Sequence, residues 1–214
     1  MNWENILSAG IGYLLGAIPF ALLLVKLFAK IDVRRSGTGN VGAMNSYDVT
    51  GKKWLGALVM VLDLAKGYFA PMIADMITNG DIFAVSLAAS FVILGHNYNI
   101  FLGFRGGRGL ASAAGASLYI NCLPLISWLL VFALVYFLIK KNLHIASIFA
   151  MIAIPLIIFF LPENYVTAFN VLTTISKNDL IYLMLFITAL VLSRHVQPIL
   201  DLVEQDDQNT FSRK

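Results

Sequence analysis

Charge is what this chain has least of. Only 13% of its 214 residues are Asp, Glu, Lys or Arg, against roughly 25% in an average soluble domain. That density cannot coat a water-soluble globule of this size, and 59% hydrophobic residues exclude a disordered chain. A nucleic-acid binder is excluded too, and the net charge of +3 implies no acidic partner, because basic residues in so apolar a chain mostly report membrane orientation. Cysteine is nearly absent. The lone Cys122 excludes a disulfide framework and a cysteine-based zinc site. Long polar stretches are missing, so no separate soluble domain is expected. The start Met1-Asn2-Trp3-Glu4-Asn5 lacks the basic region of a cleavable signal peptide, and the first apolar run is expected to stay as an anchor.

Long apolar runs fill the rest, and mean hydropathy is +0.80. A bilayer core of about 30 Å takes roughly 20 apolar residues as helix. Seven spans are predicted, at residues 6–28, 55–77, 82–94, 110–120, 123–139, 145–161 and 180–193, with six as the alternative count. The expected fold is a single all-α polytopic membrane domain over 1–214, with a polar tail at 201–214. Lys26, Lys30, Arg34, Arg35, Lys52 and Lys53 surround the first loop, Arg105 and Arg108 lie in the third, and Lys140 and Lys141 in the fifth. Arg194, Arg213 and Lys214 follow the last span, and the opposite loops hold only Lys177. Alternation puts the basic loops on one side, which the positive-inside rule makes cytoplasmic. The N-terminus is then outside and the C-terminus inside.

Two basic-side loops are rich in glycine. The first runs Ser36-Gly37-Thr38-Gly39-Asn40-Val41-Gly42-Ala43-Met44-Asn45. Glycines let a backbone approach a ligand closely, and successive N–H groups can then form an anion nest. The second begins at Gly95-His96 and ends Arg105-Gly106-Gly107-Arg108-Gly109, directly before the small-residue helix Leu110-Ala111-Ser112-Ala113. Free N–H groups and the positive dipole end at that helix start suit an oxyanion. A positive-inside flank explains the arginines but not the glycines among them. No Gly-Lys-Ser/Thr follows at Walker spacing, and no Gly-x-Ser-x-Gly elbow occurs. Asp63 and Lys66 lie inside the second span, spaced to pair on one helix face, as a structural tie or as the wall of a polar site. His96, His144 and His195 all fall at the cytoplasmic edge, and nothing beside them has metal-ligand spacing.

Taken in order, these segments resemble the bacterial acyl-phosphate-dependent glycerol-3-phosphate acyltransferases of the PlsY type. The markers are Gly16-Ala17-Ile18-Pro19-Phe20, the loop Gly37–Asn45, Gly51-Lys52-Lys53, Asp63-Leu64-Ala65-Lys66-Gly67, Gly95-His96, Phe104 through Ser112, and Arg194-His195. The resemblance implies seven spans in the bacterial inner membrane and an active site facing the cytoplasm. It implies acyl transfer from acyl phosphate to glycerol 3-phosphate, giving lysophosphatidic acid and phosphate without cofactor or metal. Membrane lipid is the expected neighbour, and nucleic acid is not a partner. From resemblance and residue chemistry together, Asn40, Asn45, Arg108 and His195 are the expected catalytic residues. Ser36, Gly37, Thr38, Gly39, Gly42, Lys66, His96, Arg105, Gly106, Gly107, Gly109 and Ser112 are the expected substrate-binding residues.

The chain also departs from the family pattern. Asp48 stands where the family usually has an arginine for the acceptor phosphate, which reverses the sign of the charge. Pro198 and Asp201 replace an asparagine and an arginine on either side of a kept Ile199, His144 lies where serine is usual, and Arg108 replaces lysine. The more widespread acyltransferase motif, histidine followed five residues later by aspartate, is absent, since Phe101, Phe149 and Leu200 fill that place. The alternative readings are a small transporter or channel for a phosphorylated metabolite, and a divergent member with another acceptor or no turnover. The absence of an internal repeat weighs against the transporter.

Overall fold

The structure is a computed structural model that describes residues 2–138 and 141–196. Lys140, the tail at 201–214, Ile199 and the departures at Pro198 and Asp201 lie outside the described residues. Ten α-helices and two 3-10 turns follow one another among the described residues, with no strand. In order they are α1 (Trp3–Gly16), α2 (Phe20–Ala29), the turn Val33–Arg35, α3 (Ala43–Thr50), α4 (Lys53–Thr78) and α5 (Ile82–Asn97). The turn Ile100–Leu102, α6 (Leu110–Ile120), α7 (Leu123–Leu138), α8 (Leu143–Phe160), α9 (Glu163–Thr167) and α10 (Lys177–Ser193) complete the chain.

An apolar helix lies at each of the seven positions read from the sequence, and among the described residues four stretches are long and apolar enough to cross a bilayer: Trp3–Ala29, Lys53–Thr78, Ile82–Leu102 and Leu143–Phe160. The first differs from the expected unbroken helix over 6–28. It stops at Gly16 and restarts at Phe20, because Pro19 has no N–H to continue the ladder. In a membrane the carbonyls freed at such a break need partners. Lys66 Nζ donates to the carbonyls of Gly16 and Ile18, at 2.9 and 3.2 Å, and Asn99 Nδ2 donates to that of Ala17 at 2.7 Å. One interior lysine therefore caps the broken helix.

Helices approach each other through glycine. A Cβ on Gly12 or Gly16 of α1 would run into the backbone of Ala88 or Val92 of α5, and one on Gly95 into that of Tyr13. Gly67 of α4 meets the Ser112 carbonyl of α6, and Gly115 of α6 meets that of Leu64. Small residues at crossings replace the hydrophobic drive that lipid cannot supply. The larger buried cluster draws on α4, α5, α6, α8 and α10 and includes Ala70, Ala88, Val92, Ile120, Ile158 and Ile187. A smaller one, with Ala21, Val25, Val33, Val41, Leu55 and Val59, lies beneath the first glycine loop. Large side chains such as Leu130, Phe137, Phe159, Phe160 and Tyr182 face outward, where a bilayer solvates them. At the end opposite the basic loops, Lys177 Nζ donates to the carbonyls of Phe159 and Leu161 and so caps the C-terminus of α8.

Candidate active site

Asn45 organises the first glycine loop. Its amide is buried at 1% exposure and donates to the carbonyls of Val33, Ser36 and Asn40, while its Oδ1 accepts from the Thr38 amide. Gly37 has φ +60°, and a side chain there would meet the Asn45 amide and Val49. The loop delivers Gly42 to the start of α3, where no side chain caps the helix.

The second loop is strapped from beneath. The amides of Gly106 and Gly107 donate to the carbonyls of Asn97 and His96 at 3.1 and 2.9 Å. From α10's end, Arg194 donates to the Gly106 and Gly107 carbonyls at 3.1 and 3.2 Å, and its guanidinium lies over the Tyr98 ring. These bonds narrow the expected cradle at 106–109, since the Gly106 and Gly107 amides point into the protein. The anion-ready amides are those at the start of α6, where Gly109, at φ +83°, gives the helix no side-chain cap.

Asp63, Lys66 and His96 form a buried charged group between α4 and α5. Lys66 Nζ lies 2.8 Å from Asp63 Oδ1 and 2.8 Å from His96 Nδ1, while His96 Nδ1 is 3.6 Å from Asp63 Oδ1. Gly107 covers the His96 ring, and a Cβ there would overlap Nε2. On another side, Arg108 Nη1 lies 3.4 and 3.5 Å from the two ring nitrogens of His144. The His144 and His195 ring centroids are 6.1 Å apart. His195, 1% exposed, donates from Nδ1 to the Val191 carbonyl at 2.8 Å, which leaves Nε2 as an acceptor. Burial lowers its pKa below the ordinary 6.5, with the Val191 hydrogen bond opposing and the Arg108 charge adding.

One cavity of about 430 Å³ joins these parts. Its polar end is lined by Asn40, Gly42, Asp63, His96, Arg108 and Gly109. Its apolar arm runs between Leu64, Ala113, Ala114, Ser117, Pro124, Leu125, Trp128, Leu129, Met151, Ile154, Met184 and Ile187. Two uncapped helix starts, of α3 and α6, therefore open on the same polar end as Arg108. Positive dipole ends, free amides and a guanidinium together make a phosphate-sized site. The adjoining arm suits a fatty chain.

Of the residues expected from sequence, Asn40, Gly42, His96, Arg108 and Gly109 line this cavity. Lys66, Gly106 and Gly107 line a narrow crevice of about 10 Å³ that shares Asp63 and His96 with it. Ser36, Gly37, Thr38, Gly39, Asn45, Arg105, Ser112 and His195 are not in its lining. Gly39, at φ +70°, turns the loop beside the Arg34 carbonyl. Arg105 is exposed, and the Ser112 hydroxyl donates to the Asp63 carbonyl across the α4–α6 contact. Asp48 sits on the exposed side of α3, also away from the lining. Of the cations near Asp48 in the same loop, Arg34 is held by Asp32 and Lys52 is bound to the Phe28 carbonyl. That contact with Arg34 holds the Asp32 carboxyl well below the usual carboxylate range. Sequence reasoning gave no role to Arg194 or to the apolar arm. The small-residue run Ala113, Ala114 and Ser117 was the arm's only local signal.

A family model described as glycerol-3-phosphate acyltransferase matches residues 6–205. The chain is 35% identical over 199 residues to a glycerol-3-phosphate acyltransferase of Syntrophotalea carbinolica, covering 93% of each. It is 35% identical over 216 residues to one of Geotalea daltonii, covering all of both chains. Among solved structures it is similar to the integral membrane glycerol 3-phosphate acyltransferase PlsY (YgiH) in its glycerol 3-phosphate form. That match has 31% identity and a TM-score of 0.76, and covers 94% of this chain and 92% of the other.

Proposed function

The chain belongs to the glycerol-3-phosphate acyltransferase family, and we propose on that premise that this membrane acyltransferase takes its acyl group from acyl phosphate and delivers it to the 1-hydroxyl of glycerol 3-phosphate. The products are lysophosphatidic acid and phosphate. The observation that carries the reading is the single cavity, whose polar end lies beneath two uncapped helix starts and Arg108 and whose arm is apolar. A donor with a phosphate head and a fatty tail matches both ends at once.

In this reading the donor phosphate lies at the starts of α3 and α6, against Arg108, with Asn40 beside it. The acyl carbon then sits where the polar end meets the arm. Acyl phosphate is a mixed anhydride with a good leaving group, so no covalent enzyme intermediate is needed. Positioning and charge stabilisation supply the rate. His195 lies behind the lining, beside His144 and near Arg108, and its Nε2 is the acceptor assigned to the hydroxyl of an acceptor bound on that side, while Asn45 acts by holding the loop that carries Asn40. Arg194 holds Gly106 and Gly107 so that Arg108 projects to the cavity. The chain crosses the bacterial inner membrane seven times, with the cavity's polar end opening to the cytoplasm. The basic loops support that orientation.

Purified protein given acyl phosphate and glycerol 3-phosphate should release phosphate and form lysophosphatidic acid in equal amounts. Turnover with an acyl thioester but not with acyl phosphate overturns the donor assignment. Arg108→Ala should lower kcat/KM at least tenfold, about 1.4 kcal/mol of transition-state stabilisation.

A further inference from the structure

The two buried histidines near the site are held in opposite tautomers by their surroundings. His195 gives its Nδ1 proton to the Val191 carbonyl. His96 faces the reverse situation, because the group 2.8 Å from its Nδ1 is the Lys66 ammonium. An ammonium has only protons to give, so Nδ1 of His96 accepts. The Asp63 carboxylate is the competing partner that would draw a proton onto Nδ1. It lies 3.6 Å away, beyond hydrogen-bond range, and its Oδ1 is occupied by Lys66 at 2.8 Å. The proton of a neutral His96 therefore sits on Nε2. Nε2 has no hydrogen-bond partner among the described residues, it lies against Gly107, whose missing side chain leaves that edge of the ring open, and His96 lines the polar end of the cavity.

We propose that Lys66 is a positioning residue that fixes His96 as the Nε2–H tautomer, and that this N–H donates to the acyl carbonyl oxygen as it becomes an oxyanion. The proposal rests on the acyl-transfer reading above and deepens it. The acceptor's hydroxyl oxygen forms the new bond to the acyl carbon, and the carbonyl electron pair moves onto oxygen, where His96 Nε2–H meets it. The pair returns as the bond from carbon to the phosphate oxygen breaks. The hydroxyl proton passes by way of His195 Nε2 to the departing phosphate, so ester and hydrogen phosphate account for every atom and His195 ends neutral. Lys66 touches no substrate. Its two other protons go to Asp63 and, shared, to the carbonyls of Gly16 and Ile18, which anchors it to the broken first span. That break is thus the fixed end of a chain leading to the reacting oxygen.

The test combines nitrogen NMR of ¹⁵N-histidine-labelled protein in detergent with steady-state kinetics. Without substrate, His96, assigned by its loss in His96→Gln, should show a proton on Nε2 and none on Nδ1. Lys66→Met should mix the two tautomers and lower kcat about a hundredfold, the usual loss for one oxyanion donor, with KM for both substrates within about threefold. Since Lys66→Met leaves Asp63 without its partner, a second pair of variants spares the ion pair. His96→Gln, whose amide can reach the Nε2 position, should keep activity within about tenfold of wild type, whereas His96→Asn, too short to reach it, should lose about a hundredfold. A proton on Nδ1 in the wild type overturns the proposal. So does an unchanged kcat in folded Lys66→Met, or equal loss in His96→Gln and His96→Asn. The tautomer is read without turnover, so failure of the acyl-phosphate assay would overturn the donor assignment without touching that reading.

Discussion

Asn45 shows how one side chain can set a loop. Its two amide protons are shared among three carbonyls and its oxygen accepts from the Thr38 amide; each full hydrogen bond contributes about 1 kcal/mol net, and together they replace a hydrophobic core that a glycine-rich loop cannot have. Asn45→Ala should lower thermal stability in detergent by several degrees and raise KM for the donor. Asn45→Asp should be worse, because a carboxylate would face the three carbonyls that the amide now serves. If Asp is tolerated better than Ala, the amide is not the donor described. His195 allows a pH test. Its pKa is lowered in the fold, so the neutral ring persists below the ordinary 6.5 and protonates only in more acid solution. Activity that needs neutral Nε2 should be level above pH 6.5 and fall with a midpoint below it. The acid limb should vanish in His195→Gln and remain in His144→Gln. A midpoint at or above 6.5 contradicts a buried, neutral His195.

At the scale of elements, the α4–α6 contact is the most exacting. Gly67 and Gly115 each lie against a backbone carbonyl of the other helix, so a side chain at either has to part the pair. Gly115→Val should reduce folded yield sharply, by more than the roughly 1–3 kcal/mol typical of overpacking, since backbone cannot rotate away. Gly10→Ala is the matched control, because a Cβ there meets nothing within 4 Å. Equal yields of the two would show that the helices are not so close. The pattern of this contact was legible in the sequence only as small residues in apolar runs. Which glycine faces which carbonyl depends on helix rotation, and near-uniform hydrophobicity gives the rotation no signal.

For the whole molecule, orientation and the apolar arm are the consequences to test. Cysteines placed singly at Lys52 and Asn79, in a Cys122→Ser background, flank α4. Asn79→Cys should react with an impermeant thiol reagent in intact cells, and Lys52→Cys only after permeabilisation. The reverse result inverts the topology, and labelling of both in intact cells removes the α4 crossing. Ser117 lies in the apolar arm at 6% exposure. Ser117→Phe should fill the arm and shift donor preference toward shorter chains by at least tenfold in kcat/KM. Two displaced methylenes at about 0.8 kcal/mol each suffice for that change. An unaltered chain-length profile would place the tail elsewhere.

The membrane class, the positions of the apolar helices, the clustering of basic residues in alternate loops and the two glycine loops can all be read along the chain. All of these are written locally, as runs, counts and spacings. The sequence also carried the order of motifs that marks the family. Only the tertiary structure decided which loop groups face the cavity. The Gly106 and Gly107 amides turn inward because His96 and Asn97 offer carbonyls from another helix. Asp63 and Lys66 were close in sequence, but their partner His96 lies 30 residues further on. The break between α1 and α2 supplies the remaining acceptors for Lys66. Such partners meet only when helices pack, and packing in a bilayer is set by close contact of small residues rather than by a polarity pattern that a sequence displays.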